Sequence, residues 1–335
     1  MEIQTPRSTI IANSHLKVRL SHALGSSSWF VGLSPVLVFA FMVVLLWLTV
    51  PQIFSAGGLR SYAVNAAPVM MLVLACTFPI LMGGIDLSVA AMATFAGVLI
   101  ALLSPTLGPL TVPVVLAIAT AIGAAHGRLR VFLQLPSFIS SLGLLGLLTG
   151  SALVWSRATA MPIDPRVAFL KDIGGETFGI PNVVVVIAAC ALLLVFIARF
   201  MILGRTIYAI GSNERATLMS GVNVSRVYTA VYAISALYAA LAGCMLASQT
   251  FYSAPGFAAN LLLPAIVGVV IGGTAISGGI GGVWQSLLGG LTASFFQTGA
   301  ILLGFPPAIQ NMAFGAIIIV AVAINIDRGK FGVVK

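Results

Sequence analysis

Of 335 residues, 60% are apolar and only 7% are charged, which leaves too little polar surface for a separate water-soluble catalytic domain. The formal net charge is +9, yet the basic residues fall in short connections between apolar runs, a pattern that records membrane orientation and argues against nucleic-acid binding. Cys76, Cys190 and Cys244 lie within apolar runs without ligand spacing, so neither a disulfide framework nor a zinc site is supported.

The chain opens on a polar leader, residues 1–29. With the apolar run 30–50 behind it, this leader is too long for a cleavable signal peptide, so the first span is expected to stay in the protein. Apolar runs then follow at 62–82, 87–104, 108–125, 136–155, 182–202, 227–249, 260–278, 282–303 and 306–326. A helix needs roughly 20 apolar residues to cross the hydrocarbon core. The expected fold is therefore all-α: a polytopic bundle of about ten transmembrane helices in a single domain, 30–326, with a cytoplasmic tail, 327–335.

An even number of spans puts both termini on one side. If that side is cytoplasmic, it holds Arg7, Lys17, Arg19, Arg128, Arg130, Arg199, Arg205, Arg215, Arg226, Arg328, Lys330 and Lys335. Only Arg60, Arg157, Arg166 and Lys171 fall outside, and this asymmetry supports the orientation.

Two glycine-rich interruptions stand out: Gly83-Gly84-Ile85-Asp86-Leu87-Ser88, and the stretch from Gly272-Gly273 to Gly281-Gly282. Unpaired backbone is costly in lipid, so these turns must be buried in protein, face water or sit at the interface. Two readings fit, a translocation path and close helix packing. Asp86 is the one acidic residue bordering two apolar runs. It reads first as a cap for the helix after it, with solute contact as the other reading. One carboxylate and His126, expected as a solvated interface residue, are few groups for an ion-coupled carrier. No GxxxxGK[ST] sequence occurs, so nucleotide that drives this chain must bind another subunit.

The longest cytoplasmic connection runs from Gly204 to Arg226. Ser212 or Asn213 can cap a short helix beginning at Glu214, with Ala216, Leu218 and Met219 giving it apolar surface and Gly221 ending it. Such a helix suits a partner's groove or the lipid interface.

This segment resembles the cytoplasmic loop of the ribose-type sugar permeases of bacterial ABC importers, GRxxYAIGxNExAAxxSGIxVxRV. The matching residues are Gly204, Arg205, Tyr208, Ala209, Ile210, Gly211, Asn213, Glu214, Ala216, Ser220, Gly221, Val224, Arg226 and Val227. Three further blocks agree in the same order: GGIDLSV from Gly83, LPSFISSLG from Leu135 and VIGGTAISGG from Val270. The resemblance implies a bacterial inner-membrane permease subunit that binds no cofactor itself. A cytoplasmic ATPase subunit would carry ATP and Mg, a periplasmic protein would deliver sugar, and a second permease chain, identical or related, would complete the path. It places Asn213, Glu214, Ala216, Ser220 and Gly221 in the segment that couples to the ATPase. Gly83, Gly84, Asp86, Gly272 and Gly273 would shape the translocation turns. The chain departs from the family at Leu262-Leu263-Pro264, where many members have Glu-Leu-Asp.

A path for a monosaccharide should offer hydroxyl, amide and aromatic groups. Asn65, Thr77, Phe78, Phe138, Ser140, Ser141, Gln297, Thr298 and Asn311 are span-located candidates, each also suited to interhelical bonding. The leading expectation is an importer permease for a monosaccharide or polyol. Its rivals are an ion-coupled secondary transporter, a membrane enzyme, and an ABC permease for branched-chain amino acids.

Overall fold

The computed structural model describes residues 28–325. The leader, apart from its last two residues, and the tail lie outside the described residues. The long helices are α1 (Ser28–Thr49), α2 (Ala56–Leu81), α3 (Val89–Leu107), α4 (Thr111–Phe132), α5 (Ser137–Trp155), the short α6 (Ala168–Gly174), α7 (Asn182–Phe200), α8 (Ile202–Met219), α9 (Val224–Thr250), α10 (Leu262–Ile271), α11 (Val283–Leu302) and α12 (Pro307–Asn325). Two-residue strands β1 (Met161–Pro162) and β4 (Tyr252–Ser253) pair antiparallel, as do β2 (Glu176–Thr177) and β3 (Ile180–Pro181).

Among the described residues, five helical stretches are long and apolar enough to cross a membrane: Ala56–Leu81, Val89–Phe132, Ser137–Trp155, Asn182–Phe200 and Val224–Thr250. The second of these joins α3 and α4 through the 3-10 turn Gly108–Leu110. Leu33–Thr49, Ala259–Ile271 and Pro307–Val320 are apolar but shorter.

One expected span is not a full helix. The run 260–278 holds only α10, ten residues or about 15 Å long, half of the roughly 30 Å hydrocarbon core. Helix stops where Gly272 and Gly273 begin a stretch with further glycines at 278, 279, 281 and 282, residues that lose the most backbone entropy in a helix.

α2 is buried continuously from Ala66 to Leu81 and forms the axis of the molecule, with α9 and α11 packed against it. Small residues set the tightest approaches. Gly127 and Gly123 on α4 lie one turn apart against the Tyr228 and Tyr232 carbonyls of α9, and an added Cβ at Gly127 would sit 2.5 Å from the Tyr228 oxygen. Gly243 on α9 meets Ala93 on α3 in the same way. In lipid, helices gain little from hydrophobicity, so such small-residue contacts supply the dispersion energy that holds them together. By contrast α5 and α7 keep broad apolar faces exposed, including Leu147, Val154, Leu192 and Phe196, as lipid-facing helices do.

Candidate functional site

The two glycine turns meet. Gly279 N–H donates to the Leu81 carbonyl across 2.9 Å, and an added Cβ at Gly278 would stand 2.6 Å from the Gly83 nitrogen. Gly211 of α8 fits into the same contact, so close that any Cβ there would overlap the Leu81 carbonyl oxygen and the Gly279 nitrogen. Three segments far apart in sequence thus form one backbone-to-backbone knot. Tyr208 extends it, donating from its hydroxyl to the Gly281 carbonyl at 3.0 Å; burial raises the Tyr208 hydroxyl pKa. Gly272 and Gly273 begin the loop on the α10 side. There an added Cβ at Gly272 would overlap the Gln285 carbonyl of α11.

Gly84 and Asp86 shape the partner turn. Ile85 N–H donates to Ser137 Oγ at 3.3 Å, and Ser141 Oγ donates to the Ile85 carbonyl at 3.3 Å, which ties the turn to the start of α5. The buried Asp86 carboxylate accepts from the Ser88 N–H at 2.9 Å and the Ser88 hydroxyl at 2.5 Å, while Ser235 Oγ donates to its other oxygen at 3.4 Å. The backbone bond of Asp86 goes to the Ser88 N–H, ahead of the first helical residue Val89, so the carboxylate fixes the turn before α3 and does not cap the N–H groups of the helix itself. Asp86→Ala is expected to destabilise the purified protein by about 1–2 kcal/mol, the value of buried hydrogen bonds lost, and Asp86→Asn by less because an acceptor remains. Thermal unfolding in detergent reads the difference.

Beside the knot, α8 is two helices. Asn213 has non-helical backbone angles, and its side-chain oxygen accepts from the Ala216 N–H at 3.0 Å, so Asn213, not Ser212, caps the second helix. Ser212 Oγ donates back to the Tyr208 carbonyl instead. Ser220 Oγ donates to Thr217, and Gly221, with φ +85°, ends the helix in the left-handed conformation that favours glycine. Glu214, Arg215, Ala216, Leu218 and Met219 are exposed. The first half of α8, residues 202–212, is helix as well, within what the sequence marks only as a cytoplasmic connection.

Between this helix and the α4–α5 turn lies a cavity of about 850 Å3, lined by Arg130, Gln134, Glu214, Asn223 and Tyr228 among others. The Arg130 guanidinium stacks over the Tyr228 ring at 4.1 Å and reaches the Tyr232 hydroxyl at 3.5 Å. His126 does not sit solvated in a loop as expected. It is buried on the last turns of α4, 3.2 Å from Ser140 Oγ and edge-on to Tyr232, because α4 continues to Phe132.

At the opposite end, the links are different. Arg166 pairs with Asp164 and donates to the Pro105 carbonyl, and Arg60 pairs with Glu176. The adjacent guanidinium holds the Asp164 carboxyl below the usual range.

The residues expected along a solute path separate. Asn65 and Gln297 line one cavity of about 470 Å3 at that opposite end, with Thr298 beside them. Thr77 is fully buried and donates to the Val73 carbonyl, and Ser141 is engaged at the Ile85 turn. Phe138 is exposed on the surface of α5, Phe78 is buried in the core, Ser140 donates to the Ser137 carbonyl, and Asn311 is half-buried on α12.

Residues 58–322 match a family described as "Branched-chain amino acid transport system / permease component". The chain is 34% identical over 292 residues to the probable ABC transporter permease protein YphD of Escherichia coli (strain K12), covering 86% of this chain and 87% of that one. It is 33% identical over 281 residues to the ribose import permease protein RbsC of Haemophilus influenzae, covering 81% and 86%. With the L-arabinose ABC transporter permease protein AraH of Azospirillum brasilense it shares 29% identity over 294 residues, 86% and 85% of the two chains. No solved structure matches.

Proposed function

This chain belongs to the ribose-type permease family of ABC importers, and from that premise we propose that it forms the membrane path by which a monosaccharide or related polyol enters the cell. It is an integral membrane subunit and not the catalytic one. In this reading ten helices, the short α10 among them, alternate across the bacterial inner membrane. Both termini and the knot end are cytoplasmic, and the 470 Å3 cavity opens on the periplasmic side. A periplasmic binding protein delivers the solute, a second permease chain completes the path, and a cytoplasmic ATPase holding ATP and Mg supplies the work.

The observation that carries this reading is the placement of the Asn213-capped helix. It is exposed along Glu214, Ala216, Leu218 and Met219, yet rigidly joined through Gly211 to the turns after α2 and α10. A partner's ATP-driven movement shifts an equilibrium between two packings only through differential contacts, and an exposed helix locked to two transmembrane turns provides them. The ion-coupled alternative is weakened because the Asp86 carboxylate is occupied by Ser88 and Ser235. The family description names branched-chain amino acids, whereas relatives named for ribose and L-arabinose match over more than four-fifths of the chain; these support a sugar.

Co-expression with the ATPase and secreted binding protein encoded beside it should yield one complex whose ATP hydrolysis rises when the binding protein is loaded with sugar. A chain that assembles with no ATPase would contradict the reading.

A further inference from the structure

The cavity at the end opposite the knot is built from the 3-10 turn Pro51–Phe54 after α1, the first half of α2, the end of α9, Leu261 just before α10 and the second half of α11. At about 470 Å3 it lies within the range of small-molecule sites, about 300–1,000 Å3. Its polar lining consists of carboxamides and hydroxyls, with no charged side chain, and its apolar lining includes Leu246, Leu261 and Ile301.

Most of the polar groups near it are already engaged. Tyr62 Oη and Ser294 Oγ bond each other at 2.7 Å, Asn65 Nδ2 donates to the Ser61 carbonyl at 2.9 Å, and Gln249 Nε2 donates to the Val64 carbonyl at 2.9 Å. Adjacent side chains on α11 are not engaged: Gln297 and Thr298 are half-buried, and neither side chain makes a hydrogen bond among the described residues. For Thr298 this is unusual within the molecule. Thr77, Thr120, Thr229 and, on the same helix, Thr292 each donate to the carbonyl four residues earlier. Half-buried carboxamide and hydroxyl groups left free beside a cavity are groups for which a bound molecule can compensate the cost of desolvation.

We propose that this cavity is a binding site for a neutral polyhydroxylated solute, held by Gln297 and Thr298 through its hydroxyls, with the Asn65 and Gln249 carbonyl oxygens as further acceptors and Leu246 and Leu261 against its apolar ring face. An amino acid would bring an ammonium and a carboxylate to a lining without a counter-charge, and desolvating an unpaired charge costs far more than desolvating a hydroxyl. The site thus separates the two substrate classes that the family's name and its relatives' names suggest. The inference rests on the importer reading and deepens it by assigning the solute contacts.

The test uses the complete transporter, this chain with its ATPase and binding protein, in proteoliposomes. The panel is erythritol, xylitol, D-ribose, L-arabinose and D-glucose, with L-leucine and D-galacturonate as charged comparisons. The wild type should accumulate at least one neutral member and neither charged one. Gln297→Leu and Thr298→Val should each slow that uptake roughly tenfold, the value of about one lost hydrogen bond to solute. Gln297→Asn should recover part of the rate, which separates solute contact from folding. Wild-type rates in both variants, or preference for galacturonate, would overturn the site alone, whereas preference for leucine would overturn the sugar reading as well. No ATP-dependent uptake of any member by the wild type would overturn the importer reading and the site with it.

Discussion

Gly211→Ala is expected to leave little folded protein. The added methyl would overlap the Leu81 carbonyl oxygen and the Gly279 nitrogen, both backbone atoms tied to each other by the Gly279 N–H to Leu81 bond. Side-chain overlap can be relieved by a rotamer change, but backbone overlap requires α8 to withdraw from α2 and from the loop after α10. Overpacking of this kind costs about 3 kcal/mol or more, a large share of the total stability of a domain. Gly143→Ala, Gly146→Ala and Gly150→Ala are the internal comparison. Nothing lies within 4 Å of a Cβ added at any of them, and alanine favours helix over glycine by about 1 kcal/mol. Size-exclusion profiles and thermal unfolding of the detergent-purified chain should show aggregation for Gly211→Ala and native behaviour for the α5 variants. A monodisperse Gly211→Ala protein with native unfolding would contradict the knot.

The double substitution Leu218→Asp with Met219→Asp should leave the fold intact and abolish docking on the ATPase. The two side chains are 59% and 86% exposed, so the chain alone loses little packing. In the complex, two apolar side chains buried in a groove contribute together about 4 kcal/mol, or roughly a thousandfold in affinity. Replacing them with carboxylates adds a desolvation cost. The chain should purify normally, fail to retain the ATPase on size exclusion, and show no ATP-driven uptake. Retention of the ATPase at the wild-type ratio would show that the second helix of α8 is not the docking element.

Much of this molecule was legible in its sequence because lipid imposes a simple code. Apolar runs of about twenty residues mark helices, and the segments 30–50 through 306–326 each contain one. A cap at Ser212 or Asn213, the stop at Gly221 and a turn at Asp86 were readable because short-range hydrogen-bonding geometry is fixed by residue type, and the structure assigns the cap to Asn213. Several things were not legible. That α10 ends at Ile271 depends on glycine outweighing apolar character in 272–278, and hydropathy does not separate those two tendencies. The burial of His126 follows from where α4 ends and what α9 brings beside it, both tertiary facts. The meeting of Gly83, Gly211 and Gly278 is invisible to any local rule, since glycine for a turn and glycine for close approach look alike in a sequence. Among the polar residues named for a solute path, identity alone did not separate Thr77, whose hydroxyl bonds its own helix, from Gln297 and Thr298, whose groups remain free at a cavity. Neighbours on other helices decide that difference.

The central claim is that the work of transport enters through a separate motor gripping the helix after Asn213. It is tested most directly by reconstituting this chain with its binding protein in vesicles, with and without the ATPase subunit, and measuring accumulation of labelled sugar under ATP or under an imposed proton or sodium gradient. The account predicts uphill accumulation only when ATPase and ATP are both present. Gradient-driven accumulation by the chain without any ATPase would contradict it.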